Sequence, residues 1–114
     1  MTKSSLQESS YDFALRITNL SRYLSGQKHE FVLSKKLLDS GTSIGLCIGE
    51  GRQGFDRDDF RLKYSVAIKE AFKTNYLLRD SEYLSEKQTD SMLSDCEELQ
   101  KMLIVTLKTT DRNR

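Results

Sequence analysis

Apolar side chains recur along this chain at steps of three, four and seven, the spacing of one face of a helix. Leu6, Phe13, Ile17, Leu20 and Leu24 form a first stripe. Ser5 with Glu8 fits a capping box at its start, and Gly26 is placed to end it in a left-handed conformation. Phe60, Tyr64, Ala67, Ala71, Thr74 and Leu78 form a second and clearer stripe, which Ile68 and Phe72 widen. Asp56 suits its N-cap, and Asp58 and Asp59 suit the positive end of its dipole. Met92, Cys96, Leu99, Leu103 and Thr106 make a third, with Ser85 and Gln88 as a second capping box. Between the first two stripes lies a segment whose large apolar residues are Phe31, Leu37, Leu38, Ile44 and Ile48. The pattern predicts one all-α domain over 1–114, an antiparallel up-down four-helix bundle with helices near 5–25, 28–53, 57–82 and 86–109.

The glycines decide how the second helix is read. Ile48 to Gly54, "IGEGRQG", spells Gly49-x-Gly51-x-x-Gly54, the written form of a dinucleotide fingerprint. That fold needs a strand before the motif, a second strand after the helix and an acidic residue about twenty positions on. Glu70 stands near that distance but inside the strongest helical repeat of the chain, and no further parallel strand follows. The other spacing, Gly41, Gly45 and Gly49, has steps of four and lines one side of a helix. A groove without side chains lets another backbone approach closely, which offsets the roughly 0.5–1 kcal/mol each glycine costs in a helix interior. Gly51 and Gly54 then mark a fraying C-terminus.

Composition narrows the class. The chain has 114 residues, no proline, 31% charged and 37% hydrophobic residues, and a formal net charge of +1. Residues 1–54 carry seven basic and five acidic groups, and 55–114 carry eleven and twelve. Neither half is a basic block, so any nucleic-acid binding has to come from a local patch or from copies assembled together. No apolar run approaches a membrane span, and "MTKSSLQESSYDF" lacks a signal core. Cys47 and Cys96 read as free thiols in a reducing cytoplasm.

Catalytic parts are sparse. His29 is the single histidine, no Glu-x-x-His is present, and the cysteines lack zinc spacing, so no metal or cofactor is expected. Glu50 lies by the glycine row, where a pairing with Lys63, Lys69 or Arg52 would fix helix register; an exposed acid is the plain alternative. Lys35, Lys36, Arg52, Arg57, Arg61, Lys69 and Lys73 are candidate phosphate contacts. Tyr64, Tyr76 and Phe72 sit on or beside the apolar stripe and read as core or interface before they read as base-stacking platforms.

At "LLDSGTSIGLCIGEG", 37–51, and "DFRLKYSVAIKEAFKTNYLL", 59–78, the sequence resembles the four-helix-bundle proteins encoded in 23S rRNA intervening sequences. These are similar in fold to accessory variability proteins of diversity-generating retroelements. The matching pieces are Ser40 to Gly45, Ile48 to Gly51, Phe60 with Lys63, Ala67 to Ala71, and Tyr76 to Leu78. Leu46-Cys47 stands where the family has Ala-Asn, and Gly49 where it has alanine. The resemblance implies a bacterial protein without known catalysis that assembles into homopentamers. In the retroelement branch it implies nucleic-acid binding beside a reverse transcriptase. Gly41, Gly45, Gly49, Ile44, Ile48, Glu50, Tyr64 and Tyr76 are the expected helix-packing or subunit-contact residues, on helices 2 and 3. The functional expectation is a non-enzymatic, oligomeric, nucleic-acid-associated accessory protein; the alternative is a protein–protein module that binds no nucleic acid.

Overall fold

The computed structural model describes residues 5–79 and 84–112. Four helices follow in order: α1 (Leu6–Gly26), α2 (Val32–Arg52), α3 (Arg57–Arg79) and α4 (Glu86–Arg112). The described residues contain no strand. The last part of the expected third helix, residues 80–82, lies outside them.

Cross-helix contacts fix the topology. Gly41, Gly45 and Gly49 of α2 meet Ile17, Ser10 and Gln7 of α1, so one number rises as the other falls. Ser40 meets Thr74 and Glu50 meets Lys63 across α2 and α3. Ala71 meets Cys96 and Arg61 meets Asp111 across α3 and α4. Each neighbour therefore runs antiparallel to the last, and α1 closes against α4 through Arg16 and Asp95. The result is an up-down bundle about 48 Å long and 25 Å across.

The helix starts follow local chemistry. Ser5 accepts from the Glu8 amide at 3.1 Å while the Glu8 carboxylate accepts from the Ser5 amide at 3.3 Å. Ser85 and Gln88 repeat the exchange at 3.1 and 3.0 Å. Asp56 accepts from the Asp59 amide at 2.9 Å. Each bond satisfies an amide that has no partner inside its helix. The first turn region departs from expectation. Gly26 is the last residue of α1 and is not left-handed; Gln27 caps in the right-handed region. The left-handed residue is His29, with φ of 55°. Histidine is one of the non-glycine residues enriched there. The Glu30 amide donates to the Leu24 carbonyl at 2.8 Å, and the Glu30 carboxylate accepts from the Leu33 amide at 2.6 Å. The turn thus consumes residues 28–31, and α2 begins at Val32 rather than at 28.

Phe13, Ile17, Leu20 and Leu24 pack with Leu37, Ile44, Ile48, Tyr64, Ala67, Ala71, Leu78, Met92, Cys96, Leu99 and Leu103 in one core. Polar pairs are set into it. The Ser21 and Ser34 hydroxyls are 2.8 Å apart, and each also reaches the other's carbonyl. Thr74 Oγ1 lies 2.9 Å from Ser40 Oγ and 2.8 Å from the Glu70 carbonyl. Among the described residues no buried side-chain nitrogen or oxygen lacks a partner. The α1–α4 seam is looser. Clefts of about 230 and 310 Å³ open on it, one by Asp12, Phe13, Glu98 and Met102, the other by Leu20, Tyr23, Leu84 and Met92.

Candidate nucleic-acid and assembly faces

Residues 32–52 form one uninterrupted helix, so Gly49 and Gly51 lie within a rod and no dinucleotide turn forms. A Cβ on Gly41 would stand 2.8 Å from two carbons of Ile17, and one on Gly45 would stand 3.1 Å from Ser10 Oγ. The glycine row is the α1–α2 contact, filled from within the chain. At Gly41 it is therefore closed to α3 and to a second copy, while Gly45 and Gly49 keep part of their surface. The physical reason is that α1 supplies Ile17 and the small Ser10 at that level, which lets two backbones close. Ile44, Ile48 and Tyr64 are likewise interior. Of the eight residues expected at packing or subunit contacts, Glu50 and Tyr76 are exposed.

Gly51 corrects the expected fraying end. It is buried inside α2, and a Cβ there would meet the Tyr64 ring at 2.8 Å. Tyr64 in turn stacks on Phe60 with ring centres 4.1 Å apart. Burial pushes the Tyr64 phenol up, against a smaller opposing pull from Arg52. The close approach of α2 to α3 thus depends on Gly51, and not on the row.

Glu50 is half in solvent and pairs with Lys63 at 3.3 Å. A pair that wet contributes little stability. Beside it Cys47 is half-buried, its thiol pushed up by burial first and by Glu50 and Glu70 next. Cys96 is buried and donates to the Ala71 carbonyl at 3.2 Å. Burial pushes its thiol up to about 12, with Glu97 adding. Neither sulfur is a poised nucleophile, and His29 sits apart on the exposed α1–α2 turn. No three histidine, cysteine or acidic groups converge among the described residues.

The seven candidate phosphate contacts do not form one patch. Arg61 is held by Asp111 through two bonds of 2.6 and 3.1 Å and ties α3 to the end of α4. Lys35 lies 3.5 Å from Asp39. Arg52 and Arg57 flank the α2–α3 turn, whose Phe55 is fully exposed. Lys69 and Lys73 lie on the outward side of α3, and Lys36 on the exposed side of α2. Two aromatic rings join them. Phe72 and Tyr76 are 65% and 60% exposed, so neither belongs to the core. The apolar letter at 72 misleads because it follows Ala71 by one residue, about 100° round the helix from the buried side.

Charge is unevenly shared between the two helix pairs. α2 and α3 carry nine basic and five acidic residues; α1 and α4 carry six and eight. Among the described residues no helix is long and apolar enough to cross a membrane.

The family model of the 23S rRNA-intervening sequence proteins matches residues 2–105. This chain belongs to that family. A crystal structure from Bacteroides thetaiotaomicron VPI-5482, described as a protein of unknown function from the S23 ribosomal protein family, is 42% identical. It aligns with a TM-score of 0.88 over 90% of this chain and 95% of its own. No curated protein matches the sequence. The match to the intervening-sequence family reaches all four helices of the bundle.

Proposed function

We propose that this intervening-sequence protein is a non-enzymatic, self-associating accessory factor that binds RNA or DNA through α2 and α3. The observation that carries the reading is the charge imbalance between the helix pairs. A nine-to-five excess of basic residues on α2 and α3 raises the local anion concentration beyond what a net charge of +1 implies. Repetition of that face around a ring adds the fields of its copies. The raised thiols of Cys47 and Cys96, and the place of His29 alone on an exposed turn, favour a binding role over a catalytic one. The family resemblance points to five as the subunit number and to a reverse transcriptase as one kind of protein partner, and the free thiols point to a cytoplasmic setting.

Self-association draws support from apolar surface. Tyr11 of α1 and Leu46 of α2 are exposed around a cleft of about 340 Å³ over Gly45, and Leu15 is exposed elsewhere on α1. The same surface favours the alternative, a module that binds polypeptides and no nucleic acid. Retention on immobilised RNA or DNA separates the two. The expected result is retention at low salt that is lost at moderate salt; flow-through at low salt overturns the nucleic-acid reading. A monomeric mass at tens of micromolar overturns self-association.

A further inference from the structure

We propose that the outward face of α3 prefers single-stranded nucleic acid, with bases stacked on Phe72 and Tyr76 and phosphates held by Lys69, Lys73 and Lys36. This rests on the nucleic-acid reading above and names its ligand class. Lys69, Phe72, Lys73 and Tyr76 stand at i, i+3, i+4 and i+7, so they share one helix face. Both rings are mostly exposed, although burying them elsewhere would stabilise the fold. Among the described residues neither makes a ring contact, and the stacked pair is Phe60 with Tyr64. The Ser40–Thr74 contact sets the register of α2 against α3. Four residues before Ser40 and four after Thr74, the exposed Lys36 of α2 is level with Leu78, near the C-terminal end of α3.

The charge around these rings suits a polyanion. Lys69 and Lys36 make no ion pair among the described residues, and Lys73 reaches Glu70 at 4.0 Å, the limit of contact. Asp39 is engaged by Lys35 and Glu97 by Arg79, which leaves Glu70 as the acid beside the two lysines of α3. The exposed apolar residues of α1 differ, because Tyr11 has acidic Asp12 as its neighbour and the Arg16 charge is taken by Asp95. Lysines interleaved with exposed rings are the recurrent means of holding a single strand, whose base faces are free. A duplex keeps those faces inside its own stack and offers the rings nothing.

The test is fluorescence anisotropy with the full chain and one labelled mixed-sequence strand, as DNA and as RNA, alone and annealed to its complement. The expected result is tighter binding of the single strand. The double variant Phe72→Leu/Tyr76→Leu is expected to weaken single-strand binding about five- to hundredfold. Duplex binding and solution mass stay unchanged. Lys69→Gln/Lys73→Gln is expected to weaken both forms. Equal affinity for strand and duplex overturns the inference, as does unchanged strand binding by the leucine variant. A change of solution mass in that variant also overturns it, by marking the face as a protein contact. Failure of both nucleic-acid forms to bind at low salt removes the wider reading as well.

Discussion

A methyl group on Gly41 would stand 2.8 Å from both Cγ1 and Cγ2 of Ile17, a residue with no exposed surface. Ile17 is branched at Cβ and has little rotamer freedom in a helix, so the backbone has to move instead. Gly41→Ala is expected to destabilise by about 1–3 kcal/mol, the usual range for overpacking. Gly49 belongs to the same row, but its nearest neighbour would be Gln7 Nε2 at 3.7 Å, an ordinary contact. Gly49→Ala is expected to stabilise by about 0.5–1 kcal/mol through helix propensity. Urea denaturation of the two variants checks both signs; a destabilised Gly49→Ala shows that the row is tight along its whole length.

Thr74 has two polar neighbours, Ser40 Oγ and the Glu70 carbonyl, whereas Ser40 is bonded to Thr74. Thr74→Val takes that partner from a buried hydroxyl and is expected to cost about 1–3 kcal/mol. Ser40→Ala leaves Thr74 bonded to its own helix and is expected to cost less. A double-mutant cycle measures the coupling; additive effects mean the hydroxyls do not support each other.

Cysteine labelling distinguishes the two thiols. Iodoacetamide at pH 8 is expected to modify the half-buried Cys47 slowly and to leave Cys96 untouched until the chain unfolds. Mass spectrometry of the native protein reads the pattern, and early loss of the Cys96 thiol contradicts the packing described.

The same burial predicts alkaline behaviour. In the folded state Cys96 keeps its proton from its ordinary value of 9.0 to about 12. The folded form then binds more protons than the unfolded one, so stability falls as pH rises through that window. Its contribution is fully present below pH 9. Tyr64, pushed up from 10.0, adds in the same direction. Cys96→Ala starts less stable but is expected to lose stability less steeply across the window. Identical slopes by denaturant midpoint would place the alkaline loss elsewhere.

Among the basic residues, Lys69 and Arg61 should behave oppositely. Lys69→Gln removes an uncommitted charge and is expected to lower the salt slope of RNA or DNA binding by about one. Arg61→Gln removes a charge that Asp111 already holds and is expected to leave the slope as it was. Affinity measured over a salt series compares them, and equal slopes for the two variants argue against a phosphate contact by Lys69.

Helix number and starting caps were legible because they depend on neighbours in sequence: Ser5 with Glu8, Ser85 with Gln88, and Asp56 ahead of α3. What each face meets was not legible. The row at Gly41, Gly45 and Gly49 marked a close approach but carried no mark of which helix made it. Ile17 and Ser10 answer that only once α1 lies beside α2. The left-handed residue fell on His29 because the turn's bonds, and not residue type, set it. Phe72 read as core or interface by its chemistry, and its angle round the helix takes it out of the core. Lys35 with Asp39 was within reach along one helix, but Arg61 separated from the uncommitted basic residues only when the fold brought Asp111 to it.

Three of the bundle's four seams join helices that follow one another in the chain, and the fourth joins the first helix to the last across the clefts beside Arg16 and Asp95. Most of the interior can therefore assemble from short loops, the topology of helical chains that fold within roughly microseconds to milliseconds. The loose seam is then the final one to zip and the first to breathe. Amide protons along α1 and α4 should exchange ahead of those on α2 and α3, so the faces assigned to binding stand on the most durable half of the molecule.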